Sequence, residues 1–375
     1  MQRRTFLKNT GLATAGLAAS SAVQGFATGF LTSGIMEQFK NSKAHRRFRP
    51  QNKVGLGGVA LGNGFNHNSD LQCLQTMEAA WDAGVRYYDT SPWYGLGISE
   101  HRMGLFLKDK KREEFVLSTK IGRILHPHDD FKIAGGLWKG KLNFSYTYDY
   151  SAAGVRKSVE DSLHRLGLSS LDIVFIHDLS PDNGDMKEDW VKYFDLAAKG
   201  AMPELTKMRE EGLIKAWGFG VNTVEPILKA IEVADPDIFL SACQYSLIHH
   251  KDDLYQVFPK AAERDISIVV GAPLCAGFLS GKDRYLYSGD FPAGVKEKLT
   301  ALKRAADNHK VDLRTAALQF CATPDVVSGV IPGASNPLQA QENAASFALH
   351  IPAGFWQELK HEKLIEASAP VPGGD

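Results

Sequence analysis

The sequence predicts an α/β fold, a (β/α)8 TIM barrel with long loops at its C-terminal rim. Three features predict it. Short apolar segments alternate with amphipathic ones along residues 51–368. Leu171–Ile176 is a near-continuous apolar run, as a strand covered on both faces should be. The alternation yields about eight strands, and strands separated by helices pair in parallel through crossovers. Eight such units in about 300 residues fit one closed barrel. Length alone would also allow two or three domains of roughly 150 residues.

Taken in order, Val54–Gly58 is a short Gly-rich strand. Leu71–Ala83 carries apolar residues at helical spacing and stops at Gly84. Val85–Tyr88 is a strand, and Ser99–Leu107 a helix with Ser99 as cap. Phe115–Thr119 is a strand, Ala152–Leu166 a helix closed by Gly167, and Leu171–Ile176 a strand. Met202–Glu211 is a helix, Ala216–Gly220 a strand, Val224–Val233 a helix, Ile238–Gln244 a strand. Leu254–Arg264 is a helix and Ile266–Gly271 a strand. Lys296–His309 and Asp312–Cys321 are helices, Val326–Ile331 the last strand, Pro337–Ala345 a helix, and Phe355–Ala367 a final one. Two connections, 122–150 and 178–200, are too long for ordinary barrel loops and read as substrate-binding loops.

Hydrophobic residues are 44% and charged residues 23%, which excludes a disordered or collagen-like chain. Basic and acidic residues balance at 43 each, giving no support for nucleic-acid binding. Beyond residue 50 the balance is acidic. Four widely spaced cysteines without a C-x-x-C pair exclude a zinc ribbon or thioredoxin-type motif.

The chain opens with Arg3-Arg4-Thr5-Phe6-Leu7-Lys8, and a long uncharged, Gly-, Ala- and Ser-rich stretch follows. Residues 1–27 resemble a twin-arginine export signal. That predicts the export machinery as a partner and a periplasmic or otherwise exported location. Its weakly apolar run gains little from lipid, so no stable membrane span is expected in the mature form. The route carries folded proteins, so the cargo would fold and bind a cofactor before export. Residues 28–50 hold Lys40, Lys43, Arg46, Arg47 and Arg49 and read as a solvated basic linker.

Three ionisable residues close three successive strands: Asp89, Lys120 and His177. In a barrel all three converge on one rim, and Tyr94 lies five residues past Asp89. A free tyrosine, with pKa about 10, is a poor acid–base catalyst at neutral pH. A lysine cation beside it lowers that pKa, and a carboxylate fixes the lysine. A histidine orients a carbonyl or hydroxyl oxygen. The set suits proton transfer at an oxygen while a hydride moves at the attached carbon. Trp93 and Trp138, flanking Tyr94 and sitting in a rim loop, are candidate substrate contacts. Gly55-Leu56-Gly57-Gly58-Val59-Ala60 loosely matches a dinucleotide-binding turn, but Gly62, Asn63 and Gly64 interrupt the helix that turn requires. The His126–Asp130 and His249–Asp253 clusters lack a recognised ligand spacing, and no metal is predicted.

Asp89, Tyr94, Lys120 and His177 match the catalytic tetrad of the aldo-keto reductases. The settings match too: Asp89-Thr90-Ser91 with Tyr94-Gly95, Ser162-Leu163 with Arg165-Leu166, and Ile331-Pro332 with Glu342-Asn343. The stretch from Asp149 to Asp178 is most similar to the branch containing D-threo-aldose (L-fucose) 1-dehydrogenases and pyridoxal 4-dehydrogenase. The resemblance implies an oxidoreductase that moves a hydride between nicotinamide, NAD or NADP, and a small carbonyl or sugar substrate. It implies cofactor contacts at Asn222, Gln244, Gly271, Pro273, Gly333, Ser335, Gln339, Glu342 and Asn343. The family's stacking tyrosine after the seventh strand is replaced near Gly271 and Ala272. Phosphate-binding members carry a lysine and an arginine where this chain has Gly333 and Gln339, so NAD is favoured. Two other readings are a catalytically weak nucleotide-binding sensor on the same fold and a carbohydrate hydrolase. The intact tetrad opposes the first, and the lack of a carboxylate pair at strand ends opposes the second.

Overall fold

The computed structural model describes Phe39 and residues 45–287 and 289–373. The expected signal peptide and most of the 28–50 linker lie outside the described residues. Eight parallel strands form the barrel: β1 (Gly55–Gly57), β2 (Tyr87–Asp89), β3 (Val116–Ile121), β6 (Ile173–His177), β7 (Ala216–Val221), β8 (Ile238–Ala242), β9 (Ser267–Gly271) and β10 (Val327–Ile331). Parallel bridges Val54↔Val330 and Gly57↔Gly333 close β10 onto β1. The Val330 and Gly57 amides donate to Lys53 and Pro332 carbonyls at 2.6 and 3.1 Å. The barrel interior is filled by Tyr87, Ile173, Phe175, Ile238, Leu240, Val269 and Ile331, so it is a packed core.

The helices fall close to the sequence-based bounds: α1 (Asp70–Asp82), α2 (Ile98–Leu107), α3 (Ala152–Leu166), α5 (Ala201–Glu210), α6 (Glu225–Val233), α8 (Val295–His309), α9 (Leu313–Ala322), α10 (Pro337–Ser346) and α11 (Ala353–His361). Side-chain caps start several of them. Ser69, Ser151, Asp312 and Asn336 each accept from an amide three residues on. Ser99 does not cap α2. Gly97, at φ +97°, begins that helix. The Ser99 hydroxyl instead donates to Gly58 O at 3.0 Å and ties α2 to the end of β1. At Gly104 of α2 an added Cβ would lie 1.9 Å from Leu166 O, so α2 and α3 touch backbone to backbone.

Leu254–Arg264 is not one continuous helix. A π-helical turn over Asp253–Val257 leads into the short α7 (Phe258–Glu263). Pro259 lacks the N–H that a regular helix would need there. Helix α11 ends at His361, short of the expected Ala367.

Both long loops contain structure that periodicity did not show. In the first, β4 (Arg123–Pro127) and β5 (Phe144–Tyr148) form an antiparallel hairpin over the rim. Gly122, at φ +117°, turns the chain out of β3 into it, and a Cβ there would strike the Tyr150 ring at 2.9 Å. The second loop holds helix α4 (Trp190–Lys199).

The far end of the barrel is sealed by residues read as solvated linker. Arg47 pairs with Asp235 and with Asp237, at 2.5 and 3.1 Å. Arg49 and His45 pair with Asp265 at 3.0 and 2.8 Å. Between the two arginines, Phe48 packs against the barrel-interior cluster. Apolar packing and ion pairing thus anchor residues 45–50. Among the described residues no helix is long and apolar enough to cross a membrane.

Candidate active site

The barrel rim opens into a cavity of about 640 Å³. Asp89, Tyr94, Lys120 and His177 line one part of it, as the strand-end positions predict. Asp89 ends β2, Lys120 is the penultimate residue of β3, and His177 ends β6. Each therefore leaves a strand at the same rim.

Lys120 is 1% exposed and uses its ammonium fully. It donates to Asp89 Oδ1 and Oδ2 at 3.0 and 2.8 Å and to Thr90 O at 2.8 Å. Ser118 donates to Asp89 Oδ1 at 2.7 Å, and the Tyr87 hydroxyl adjoins Ser118 at 3.1 Å. Burial pushes Asp89 up and Lys120 down, while each charge favours its partner's. The hydrogen-bonded ion pair compensates both buried charges.

The ammonium lies 4.6 Å from the centroid of the Tyr94 ring, over its face. That differs from the sequence-based expectation that lysine lowers the tyrosine pKa. Burial, then the Asp89 carboxylate, holds Tyr94 well above the ordinary phenol value. The Lys120 ammonium makes its hydrogen bonds to Asp89 and Thr90. Tyr94 is thus neutral.

His177 sits edge-on to Tyr94, with ring centroids 5.8 Å apart. Its Nδ1 meets Ser91 Oγ at 3.0 Å, and Nε2 lies 3.4 Å from Asp178 Oδ1. Burial, then Lys120 and Arg123, keeps it well below the usual histidine pKa, so it is neutral. In the tautomer in which Ser91 donates to Nδ1, Nε2 carries the proton beside the Asp178 carboxylate. Trp93 and Trp138 also line the cavity and meet edge to face at 5.9 Å. The Tyr94 and Trp138 rings are 5.8 Å apart. Trp138 is brought there by the hairpin loop, which bridges to Gly64.

Of the expected cofactor contacts, Asn222, Gly271, Pro273, Gly333, Ser335, Gln339, Glu342 and Asn343 line the same cavity. Gln244 does not. Its amide instead donates to Asn222 O at 2.5 Å, so it braces the neighbouring loop. The Asn222 amide is itself held by Asp182 at 2.9 Å. The cavity thus runs from Tyr94 and His177 to Glu342 and Asn343, with the Gly271–Gly281 loop along its side. A cavity of this size, lined by these reactive groups and by amide and carboxylate groups, fits a dinucleotide.

Sequence reasoning missed other cavity residues, Phe65, Tyr287, Arg314 and Lys303 among them. Phe65 and Tyr287 stack at 6.2 Å and 8°, joining the loop after β1 to the loop after β9. Tyr287 supplies an aromatic ring well downstream of the position where one was expected. Arg314, which pairs with Glu342, and Lys303 reach the cavity from α9 and α8. No local motif marks them. The His126 and His128 side chains are engaged by Thr147 and by the Asp130 amide. Among the described residues no cluster is arranged to hold a metal ion.

Residues 53–362 match the Aldo/keto reductase family. The chain belongs to that family. It is an NAD(P)-dependent oxidoreductase of the aldo-keto reductase type. It is 37% identical to D-threo-aldose 1-dehydrogenase of a Pseudomonas species, covering 83% of this chain and 94% of that one. It is 33% identical to pyridoxal 4-dehydrogenase of Microbacterium luteolum, over 83% and 94% of the two chains. In three dimensions it resembles an aldo-keto reductase of Bacillus halodurans in its holo form. The TM-score is 0.62 at 22% identity, over 85% and 93% of the two chains.

Proposed function

We propose that this aldo-keto reductase is an exported enzyme that oxidises an aldose at its anomeric carbon, or interconverts a related small aldehyde and alcohol, with NAD. The observation that carries the chemistry is the meeting of Tyr94, the Lys120–Asp89 pair and His177 at one end of the dinucleotide-sized cavity. The aldose substrate is supported by the likeness to D-threo-aldose 1-dehydrogenase.

A bound nicotinamide supplies the hydride in reduction and takes it in oxidation. His177 donates from Nε2 to the reacting oxygen and holds it beside Tyr94. The Tyr94 hydroxyl gives its proton to that oxygen in reduction and recovers one in oxidation. Lys120 stabilises negative charge as the phenol ionises, and Asp89 holds Lys120 in place. Trp93 and Trp138 wall the substrate region and exclude water. Glu342 and Asn343 would hold the adenine end, and Asn222 the carboxamide region.

The NAD preference rests on Gly333 and Gln339 standing where phosphate-binding relatives carry cations. Gln339 Oε1 also accepts from the Ser335 amide at 2.8 Å, occupying a backbone donor otherwise open to a phosphate. Export rests on the Arg3-Arg4 motif, with the folded cargo carrying its nucleotide across. The Phe65–Tyr287 stack supports such retention, because it joins two loops that line the cavity. Wild type and Tyr94→Phe should be compared by single-turnover hydride transfer over a panel of aldoses and aldehydes. Transfer by wild type and its loss in the variant is the expected result. Absence of transfer from wild type across the panel overturns the reading.

A further inference from the structure

We propose that Asp178 recognises a hydroxyl group on the substrate carbon next to the reacting carbonyl. The site would then select α-hydroxy carbonyl compounds, and sugars among them, over plain aldehydes. For sugars the proposal rests on the aldose reading above.

Asp178 follows His177 at the rim and lines the cavity. Its backbone is left-handed, at φ +47°, a conformation that costs a non-glycine residue energy. Its amide donates to Gly220 O at 3.0 Å, which fixes it against β7. The two carboxylate oxygens have different surroundings. Oδ2 accepts from Arg123 Nη1 at 2.9 Å. Oδ1 lies 3.4 Å from His177 Nε2, a long contact that leaves acceptor capacity unused.

Arg123 is fixed as well. Its side chain is 5% exposed, and its guanidinium lies 4.5 Å from the Trp93 ring centroid and 5.1 Å from that of Tyr148. It stands outside the cavity lining, whereas Asp178 stands within it. The pair therefore presents only its negative member to the substrate.

A reacting oxygen held by His177 Nε2 sits beside Asp178 Oδ1. A carboxylate tolerates a second oxygen at that distance only when a proton lies between them. A hydroxyl on the adjacent carbon brings that proton. An alkyl group in its place leaves Oδ1 without that donor, and sites built on polar pairing discriminate strongly against such analogues.

The test compares kcat/KM for glycolaldehyde and propanal, which have the same number of heavy atoms, and for an aldose and its 2-deoxy counterpart. Wild type should prefer the hydroxyl-bearing member of each pair by about 10- to 100-fold, the range for a hydrogen bond to a charged group. In Asp178→Asn that preference should fall by about tenfold, because a charge-assisted bond becomes a neutral one. A residue that only positioned His177 would lower both members alike and leave the ratio unchanged; that outcome overturns the proposal. Equal turnover of both aldehydes by wild type overturns it without any variant. Turnover of aldehydes with inert aldoses defeats the sugar reading of function, and the aldehyde pair then still decides the role of Asp178. Inertness toward all four compounds counts against both.

Discussion

The ammonium of Lys120 lies over the face of the Tyr94 ring, 4.6 Å from its centroid, while its hydrogen bonds go to Asp89 and Thr90. The phenol is therefore kept neutral by burial and by the Asp89 carboxylate, and reduction needs it neutral. kcat/KM for carbonyl reduction should stay level from pH 6 to 9. Oxidation needs a proton acceptor, so its kcat/KM should climb with pH over the same range. A decline in reduction centred near pH 7 would show that Tyr94 ionises far more easily. Tyr94→Phe should lower kcat by about 10²–10⁴ while leaving cofactor affinity intact, as measured by fluorescence titration.

Asp89 and Lys120 are each 1% exposed. Removing one charge strands the other. Asp89→Asn should destabilise the protein by about 3–5 kcal/mol in denaturant unfolding. Asp89→Asn with Lys120→Met should recover part of that loss, because no buried charge remains. A double variant as unstable as the sum of the singles would show that the pair is not coupled.

Two buried histidines stay neutral in the fold. His250 is pushed down to about 4, by burial first and then by Lys298. Its Nδ1 donates to Ser246 O at 3.0 Å and its Nε2 accepts from the Glu366 amide at 3.1 Å, so a second proton displaces a bond. His177 is also held well below 6.5. An unfolded histidine takes a proton below about pH 6.5, and the folded ones do not. Stability is therefore present above pH 6.5 and is lost as pH falls toward 4. Each histidine contributes up to about 1.4 kcal/mol per pH unit in that window. His250→Gln should flatten the stability–pH slope by that amount, read from urea midpoints at pH 4.5, 5.5 and 6.5.

The stack of Phe65 on Tyr287 bears on nucleotide retention. Protein recovered from the exported fraction should carry stoichiometric nucleotide, identified by mass spectrometry. Tyr287→Ala should speed nucleotide loss by roughly 2- to 10-fold, the worth of one aromatic pair. Nucleotide-free protein that binds NAD weakly would defeat the retention idea.

Gln339 stands where phosphate-binding relatives have arginine. Wild type should favour NAD over NADP by at least about tenfold in kcat/KM, the lower bound for one missing charged contact. Gln339→Arg should reverse or erase that ratio. An unchanged ratio would move phosphate recognition to Lys303 or Arg314, which face the same cavity.

The strand order and the placement of Asp89, Lys120 and His177 were legible because each ends an apolar run, and parallel strands in a barrel share one rim. Helix bounds were legible where a cap residue marks the start, as at Ser151. The β4–β5 hairpin was not, because its residues face a rim, a loop and solvent without strict alternation. Ser99 resembles a cap in sequence, but its hydroxyl is claimed by Gly58 O on β1. Lys303, Arg314 and Tyr287 reach the site only through tertiary packing, and no local pattern marks them. The bonding of Lys120 to Asp89 and Thr90 with its ammonium over the Tyr94 ring face is a matter of ångströms that residue types alone do not fix.

Arg47 and Arg49 find their partners 188 to 216 residues away, in the loops that precede β8 and β9. Those aspartates precede adjacent strands, so pairing of β8 with β9 brings them together. Contacts of such high sequence separation form late, after shorter loops have been drawn in. The segment from His45 to Pro50 is then among the last parts of the chain to lose its freedom. Its docking marks the completion of the barrel, and protection of its amides from exchange would time that event.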